Sequence, residues 1–434
     1  MQDTLINRDL KHSWHPFTQM KDHETVPPLL ITHTKDCYLY DSTGKAYLDT
    51  ISSWWCNIHG HNHPRITAAL ATQAATLSHT LYAGITHPPV IQLTEALMAI
   101  TPETLNRVFY TDNGSTAVET ALKCALGYFK RLNQPEKTQF IGLEQGYHGD
   151  TLGCMAVSQV SAFNAEFSSQ YTTAYAIPVP ETPEDIPRCV GILADYLDQH
   201  HTRVAALIVE PLLQAAGGFR VYSPDFLSQI RAVCQSYNIL FIVDEVATGF
   251  GRTGRYFASD YCSDLAPDFM CLSKGLTNGT LPFAATLMTE AIYEAFYSDQ
   301  KSDFFAHGHT YCANPLGCAI ALETIQIMAD DDRLNHASRV LAPQVATDIA
   351  ALAMKDGVCN PRTLGTIGAV DVPGLHAHHL PYRQAGLDAG LLLRPLGDTI
   401  YFMPPLCISE KVYSQAIQTV GQILDSLLTR IRSA

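Results

Sequence analysis

Short apolar runs alternate with longer amphipathic stretches along the middle of the chain, between about residue 105 and residue 290. The apolar runs predict strands at 105–111, 138–143, 204–210, 239–245 and 269–273. The amphipathic stretches predict helices at 115–130, 184–201 and 224–237. Because strand and helix alternate, we expect right-handed crossovers, and therefore an α/β fold whose mostly parallel central sheet is flanked by helices.

The two ends of the chain have a different pattern. Alternating residues on either side of a turn at 41–44 predict a small antiparallel hairpin, and the C-terminal part predicts a helix from about 331, short strands at 365–370 and 399–402, and a closing helix from about 410. We expect both ends to fold together as a smaller α+β domain. The predicted division is 1–51 and 331–434 for the small domain and 52–330 for the large domain.

Composition narrows the function classes. The chain has 434 residues, of which 47% are hydrophobic and 16% charged, with a net charge of −14, so a nucleic-acid or anionic-membrane partner is not expected. It has no run of about 18 apolar residues and no apolar secretory signal near its start. Twelve cysteines without a C-x-x-C pair indicate reduced thiols. We expect a cytoplasmic protein.

Two predicted strands end in residues that suit one cofactor. Asp244 closes one apolar run and Lys274 follows another. The carboxyl ends of parallel strands meet at the same edge of a sheet, where active sites of such folds lie. A lysine amine can bond to the aldehyde of pyridoxal phosphate (PLP), and a carboxylate can keep the pyridine nitrogen protonated. The pair therefore predicts a PLP site.

Two further segments fit the same cofactor. Residues 112–116 follow a strand and open a helix, so their backbone N–H groups and the Ser115 and Thr116 hydroxyls could bind a phosphate. Taken alone, such a segment is more often an ordinary helix cap. Tyr147 lies between Gly146 and Gly149, where its ring could stack on a flat cofactor or simply pack within a loop.

The order of these features resembles the class III aminotransferases of PLP fold type I, over nearly the whole chain. The most specific block is FIVDEVATGFGRTG at 241–254. The resemblance implies that Val246 packs on the ring face opposite Tyr147 and that Thr310 reaches the phosphate of the neighbouring subunit's cofactor, which implies a homodimer with shared active sites. The implied PLP-binding residues are Gly114, Ser115, Tyr147, Asp244, Val246, Lys274 and Thr310.

Finer motifs resemble the 7,8-diaminopelargonate synthase family of biotin biosynthesis. They are WHPFT at 14–18, SSWW at 52–55, HGH at 59–61, GYHGDT at 146–151, RPLG at 394–397 and YFMPP at 401–405. The resemblance implies transamination of 8-amino-7-oxononanoate to 7,8-diaminononanoate, with Lys274, Asp244 and Tyr147 as catalytic residues. It also implies that the substrate-binding residues are Phe17, Trp54, Trp55, Asp150, Gly308, Arg394 and Tyr401.

In that family the tryptophans would flank the aliphatic chain of the substrate, and Arg394 would clamp its carboxylate. Without the resemblance, paired tryptophans are core packing and Arg394 is a surface charge. Phe17 and the segment GHTY at 308–311 differ from members that use S-adenosylmethionine as amino donor, which carry Tyr and Gly-Pro-Thr-Phe, and match members that use lysine. The SSWW run and the short connection before Arg394 favour S-adenosylmethionine, which we expect, with lysine as the alternative.

Other functions stay open. A broader ω-aminotransferase of diamines or ω-amino acids has the same chemistry, and a PLP-binding protein without turnover would share the cofactor site. A nicotinamide oxidoreductase depends only on the G-x-G-x-x-G match at 249–254, which is separated from its strand and lacks a clear helix start. Histidines at 59–63 and 376–379 have no clustered cysteines beside them, so we expect no metal site.

Overall fold

The computed structural model describes residues 4–433, without the side chains of residue 161 and residues 429–433. Its strands are β1 Ile31–Lys35, β2 Tyr38–Asp41, β3 Ala46–Asp49, β4 Leu105–Thr111, β5 Gln139–Leu143, β6 Tyr175–Ile177, β7 Val204–Val209, β8 Leu213–Gln214, β9 Arg220–Val221, β10 Leu240–Asp244, β11 Phe269–Leu272, β12 Ala284–Thr289, β13 Cys359–Leu364, β14 Ile367–Asp371, β15 Leu391–Leu392 and β16 Thr399–Phe402.

Its α-helices are α1 Leu5–His12, α2 Ser52–Trp55, α3 Pro64–Thr76, α4 Pro88–Ile100, α5 Gly114–Arg131, α6 Leu152–Val157, α7 Ser161–Asn164, α8 Ile186–His200, α9 Pro224–Ser236, α10 Glu290–Glu294, α11 Pro315–Asp330, α12 Arg333–His336, α13 Ala342–Ala353, α14 His379–Asp388 and α15 Glu410–Ser433. No helix in this described part of the chain is both long and apolar enough to cross a membrane.

A seven-stranded sheet forms the centre of the molecule, in the order β4-β12-β11-β10-β7-β5-β6. The strands from β11 to β6 are parallel to their neighbours, and β12 is antiparallel to β11 and β4. Every residue of β7, β10 and β11 is buried, as expected for parallel strands covered by helices on both faces. The predicted mostly parallel sheet is confirmed. Strands β6 and β12 were not predicted.

Both ends of the chain contribute to a second structural unit. The predicted hairpin is present as β2 and β3, and β15 joins β3 in parallel, so that Leu391 pairs with Leu48. A separate sheet, β13-β14-β16, packs with α13 and α15 around a core that also includes Cys37 from the N-terminal part. We propose the division at residues 51/52 and 330/331 on this basis; residues 1–3 and 434 lie outside the described residues.

The predicted element boundaries differ from the observed ones by a few residues, for local reasons. The helix predicted at 184–201 is a 3₁₀ turn, Pro183–Asp185, followed by α8 from Ile186. Thr182 and Asp185 form a capping box on that 3₁₀ turn. The turn therefore precedes α8 and is not its first turn. The helix predicted from about 331 begins at Arg333 and passes through a π-helical turn, Ala337–Leu341, before α13.

Candidate active site

The two residues that suggested a cofactor meet at one edge of the central sheet. Asp244 ends β10 and pairs with Cys271 of the adjacent parallel strand β11, and Lys274 follows β11 by two residues. Both line a cavity of about 480 Å³. We call it the lysine cavity; Trp55, Ser115, Tyr147, Asp244, Val246 and Lys274 are among its lining residues.

Lys274 lies in an environment that favours its neutral amine. Its Nζ atom is 4.6 Å from the centroid of the Trp55 ring. Burial lowers the pKa of Lys274 below its usual value, and the nearby carboxylates of Asp244 and Glu210 partly oppose this change. A lysine with a lowered pKa is a better nucleophile and a better proton acceptor at neutral pH.

A histidine fixes the Asp244 carboxylate. The Nδ1 atom of His148 donates to Oδ2 of Asp244 at 2.8 Å, and the backbone N–H of Val246 donates to Oδ1 at 3.1 Å. The backbone N–H of His148 donates in turn to the Ser158 hydroxyl at 2.9 Å. Both the histidine and the aspartate are buried, so the carboxylate has a defined orientation toward the cavity. The sequence motif contained His148, but no role was predicted for it.

Sequence reasoning also missed Glu210, which lines the same cavity. Its two carboxyl oxygens accept hydrogen bonds from the backbone N–H groups of Tyr147, at 2.9 Å, and Ala215, at 3.0 Å. Burial raises the pKa of Glu210 to about 7. The sequence did contain a signal for this residue. Asp244 is the last residue of β10, and Glu210 directly follows β7, which is the parallel neighbour of β10, so the two carboxylates lie at the same edge of the sheet.

The predicted phosphate seat is both a helix cap and part of the cavity. Helix α5 begins at Gly114, and Asn113 caps it. Gly114 and Ser115 line the lysine cavity. The Thr116 hydroxyl accepts from the backbone N–H of Asn113 at 3.0 Å as part of the capping box, and Thr116 does not line the cavity, so its role in binding a phosphate stays a prediction.

Close backbone approaches bring the cavity walls together. A Cβ atom at Gly114 would lie 2.8 Å from Cγ1 of Val246. A Cβ atom at Gly149 would overlap the Ser115 hydroxyl, and the backbone of Gly149 has a φ of +120°. The loop that carries Tyr147 can therefore reach the start of α5 only because glycine occupies position 149.

A second cavity, of about 490 Å³, continues from the first. The two share Trp55, Cys56, Tyr147 and Lys274. The walls of the second cavity are largely aromatic, and we call it the aromatic channel; Phe17, Trp54, Trp55, Tyr147, Phe163 and Tyr401 line it. The ring centroid of Phe17 is 5.5 Å from that of Trp54 and 5.4 Å from that of Phe163.

Arg394 also lines the aromatic channel and places its guanidinium group among these rings. Its guanidinium carbon lies 4.7 Å from the centroid of the Trp54 ring, and Nη2 donates to the backbone carbonyl of Phe17 at 3.0 Å. The contact with a π face orients the guanidinium plane. Its other N–H groups have no partner among residues 4–433 and could bind a carboxylate from the channel.

The paired tryptophans are held by an unusual backbone. Four consecutive non-glycine residues, Ser52 to Trp55, have φ values of 51°, 45°, 76° and 74°, which is a left-handed turn. Such a turn costs roughly 1–2 kcal/mol per residue. The Ser52 hydroxyl donates to the carbonyl of Met403 and the Ser53 hydroxyl to Asp49, both at 2.7 Å. These bonds hold Trp54 and Trp55 in the walls of the two cavities.

Of the remaining predicted site residues, one lies in the channel wall and the others lie at the surface of the chain. Tyr401 is buried and stacks on Phe219 at 4.2 Å, so it supports the channel wall. Asp150 is exposed and connects to the site through the Tyr147 hydroxyl, which donates to it at 2.8 Å. Gly308 and Thr310 lie on an exposed loop and line neither cavity of this chain, so their assignment to the site requires a second subunit and stays a prediction.

The rejected motifs have structural roles. Residues 249–254 form turns rather than a helix start, and the buried Arg252 donates to the carbonyls of Asn57, at 2.8 Å, and Pro404, at 2.6 Å. His59 bonds to the carbonyl of Thr324 at 2.9 Å. Within residues 4–433 no group of three or more His, Cys, Asp or Glu side chains is arranged to hold a metal ion.

Comparison with known proteins gives a consistent family. Residues 19–424 match the family described as Aminotransferase class-III. A protein of Synechococcus elongatus named adenosylmethionine-8-amino-7-oxononanoate aminotransferase is 41% identical, covering 96% of this chain and 99% of the relative, and a protein of the same name from Anoxybacillus flavithermus is 42% identical over 92% of each.

Solved structures agree with the sequence relatives. The crystal structure of an adenosylmethionine-8-amino-7-oxononanoate aminotransferase from Methanocaldococcus jannaschii has a TM-score of 0.93 and 32% identity, covering 97% of this chain and 98% of that one. A thermostable ω-transaminase mutant from Pseudomonas jessenii has a TM-score of 0.93 and 28% identity, covering 99% of each chain. The chain belongs to the class III aminotransferases, a family of PLP-dependent enzymes with the type I fold.

Proposed function

We propose that this aminotransferase converts 8-amino-7-oxononanoate to 7,8-diaminononanoate in biotin biosynthesis, with S-adenosylmethionine as the amino donor. The names of its relatives support the substrate and the donor. The observation that carries the proposal is the aromatic channel, which contains both Lys274 and Arg394. The apolar walls of the channel suit the long aliphatic chain of this substrate. The Arg394 cation suits its terminal carboxylate, and the Lys274 amine suits its reacting end.

The lysine cavity fits PLP by the chemistry of its groups. Lys274 would hold the aldehyde carbon, Asp244 would face the ring nitrogen, and the start of α5 with Ser115 would bind the phosphate. Tyr147 and Val246 would cover the two faces of the ring. When bound, PLP supplies an electron-accepting ring that stabilises the negative charge left on a carbon after its proton departs.

In this proposal Lys274 moves the proton. Its amine accepts a proton from the carbon that bears the donor's amino group and later returns one to the carbon that receives it. Burial lowers the pKa of the amine, which favours its neutral form, and the Trp55 ring beside Nζ excludes water from that face. His148 holds Asp244 in one orientation, in which its carboxylate would face the ring nitrogen of bound PLP.

Arg394 and the aromatic rings place the substrate. The carboxylate would bind the remaining N–H groups of Arg394, and Trp54 and Tyr401 would flank the aliphatic chain. The Tyr147 hydroxyl, bonded to Asp150, lines the same channel and is placed to accept or donate a hydrogen bond to the substrate's amine. Because only the carboxylate end of the substrate is complementary to Arg394, the substrate would bind in one direction, with its keto carbon toward Lys274.

We propose further that the enzyme acts as a cytoplasmic homodimer with shared active sites. In this arrangement Gly308 and Thr310 of the partner subunit would complete the site, which accounts for their exposure in a single chain. The ring of His309, on the same loop, lies 3.1 Å from the Asp112 carboxylate, and Asp112 lines the lysine cavity. This contact fixes the loop beside the lysine cavity of its own chain, from where Gly308 and Thr310 would reach the cavity of the other subunit.

Lysine is the second candidate donor, because Phe17 lines the channel where a hydroxyl would be expected in users of S-adenosylmethionine. The test is rapid mixing of the PLP-loaded enzyme with S-adenosylmethionine, lysine, or an ω-amino acid. We expect S-adenosylmethionine to convert the cofactor absorbance to that of pyridoxamine phosphate, and 8-amino-7-oxononanoate to restore it. Conversion by lysine alone would identify lysine as the donor. No restoration by 8-amino-7-oxononanoate would disprove the proposed acceptor.

A further inference from the structure

A third cavity, of about 470 Å³, lies beyond the aromatic channel. The two share Phe17, Trp54, Arg394 and Pro395, so Arg394 lies at their common boundary. We call this third cavity the basic recess; its charged and histidine lining residues are Asp22, His376, His379, Arg383 and Arg394. Two arginines face one aspartate in the recess, so its permanent charge is positive.

Helix geometry places these groups on one face. His379, Leu380 and Arg383 lie on α14 at spacings of one, three and four residues, and residues three or four apart on a helix are neighbours. All three line the recess. Arg394 reaches the same space from the chain just after β15, which follows α14.

Three of the four basic side chains already have partners. His379 lies 3.3 Å from Asp22, His376 lies 2.7 Å from Asp398, and Arg394 bonds to the carbonyl of Phe17. Arg383 makes no hydrogen bond or ion pair with any residue in the described part of the chain. Partial burial and the neighbouring charge of Arg394 lower the pKa of Arg383, and the Asp22 carboxylate partly opposes this change. Arg383 is half-buried beside Arg394 and has no hydrogen-bond or ion-pair partner among the described residues, so an added anion would stabilise its charge.

We propose that Arg383 is a second anchor for the substrate carboxylate, which lies between Arg394 and Arg383 at the junction of the aromatic channel and the basic recess. This proposal rests on the proposed function for the identity of the ligand, a long-chain carboxylate. The planar guanidinium groups present several N–H donors, so two of them can share one carboxylate. Arg383 is thus a residue that selects for the charged end of the substrate.

The test compares Arg383→Gln with Arg383→Lys in the PLP-loaded enzyme, with the keto acid 8-amino-7-oxononanoate and its methyl ester as substrates. For Arg383→Gln we expect KM to rise about tenfold with the acid, with a much smaller change in kcat, since one charge-assisted hydrogen bond is lost. With the ester KM should not change, because the ester has no charge at that end. Arg383→Lys should recover part of the loss. Equal changes for acid and ester would show a merely structural role and overturn the proposal.

A binding measurement separates this proposal from the proposed function. Calorimetric titration with nonanoate and with nonanamide needs no turnover. We expect Arg383→Gln to weaken nonanoate binding about tenfold and leave nonanamide unchanged. The control is Arg188→Gln, at an exposed arginine that lines none of the three cavities. Unchanged nonanoate affinity in Arg383→Gln would refute the second anchor, even if 8-amino-7-oxononanoate proves to be the substrate. If the wild-type enzyme does not turn over 8-amino-7-oxononanoate but Arg383→Gln still weakens nonanoate binding, only the proposed function is refuted.

Discussion

Nδ1 of His148 lies 2.8 Å from Oδ2 of Asp244, and both side chains are buried beneath the lysine cavity. The histidine comes from the loop after β5 and the aspartate from the end of β10. Two segments that are distant in the sequence thus combine to present one oriented carboxylate to the lysine cavity. The relationship makes His148 a positioning residue, since it acts through Asp244.

Replacing His148 by alanine should weaken PLP binding. The change leaves a buried carboxylate oxygen without its donor, which costs about 1.5–3 kcal/mol, or roughly 10- to 100-fold in affinity. Absorbance titration with PLP measures the effect, and His12→Ala in α1 is the control. Because Asp244 would still be present, some activity at saturating PLP is expected. Unchanged PLP affinity would show that the histidine does not orient the aspartate.

Replacing Gly149 by alanine should destabilise the enzyme and abolish tight cofactor binding. The added Cβ would overlap the Ser115 hydroxyl, and the φ of +120° is unfavourable for alanine. The loop that carries Tyr147 would have to move away from the start of α5. Gly191→Ala is the control, because an alanine there meets nothing within 4 Å and lies inside helix α8, where it should stabilise by up to about 1 kcal/mol.

Thermal unfolding with and without PLP distinguishes the two glycine variants. We expect the melting temperature of Gly149→Ala to fall and to respond little to added PLP, whereas Gly191→Ala should respond as the wild type does. A Gly149→Ala enzyme that PLP stabilises normally would contradict the close approach between residue 149 and Ser115.

Glu210 should give the enzyme a specific pH dependence of stability. Burial raises its pKa from the usual 4.5 to about 7, so between these values the folded state binds a proton that the unfolded state has released. This contribution is fully present below pH 4.5 and is lost as the pH rises to about 7, and it amounts to roughly 3 kcal/mol.

The variant Glu210→Gln removes that titration. We expect the free energy of unfolding of the cofactor-free enzyme to fall less steeply, from pH 4.5 to 7, in the variant than in the wild type. Denaturant unfolding at several pH values measures the difference. Glu245 is also buried with a raised pKa of about 7, so some slope should persist in the variant. Identical slopes would mean that Glu210 titrates normally in the folded enzyme.

Replacing Arg394 should affect the keto substrate through its carboxylate. Arg394→Gln removes the charge, and we expect KM to rise roughly 10- to 100-fold with 8-amino-7-oxononanoate as the varied substrate. Arg394→Lys keeps the charge but loses the planar donors that contact Trp54 and the carbonyl of Phe17, so it should restore only part of the affinity. Steady-state kinetics with a fixed donor concentration measures this, and a KM unchanged in both variants would remove Arg394 from the substrate site.

The sequence predicted the positions of the central chemical groups well. Asp244 and Lys274 could be placed because fully apolar parallel strands are easy to recognise and their ends define one edge of the sheet. The aromatic walls were expected only through the family resemblance, and the close approach of Gly149 to Ser115 was not predicted. The family could be named because many short motifs occur in a fixed order along the chain.

Other features depended on contacts that no local pattern encodes. The left-handed turn from Ser52 to Trp55 is held by the carbonyl of Met403 and by Asp49, so its sequence alone gives no sign of positive φ. The role of His148 depends on a partner from another loop. Arg383 is an ordinary helical arginine in the sequence and becomes notable only because α14 turns it toward the recess that also contains Arg394.

The central claim is that the amine of Lys274 holds the cofactor, and one measurement tests it most directly. The PLP-loaded enzyme is reduced with borohydride, digested and analysed by peptide mass spectrometry. We predict that the reduced phosphopyridoxyl group is attached to Lys274 in the wild type and is absent from Lys274→Ala. Attachment at a different lysine, or no covalent attachment in the wild type, would contradict the account.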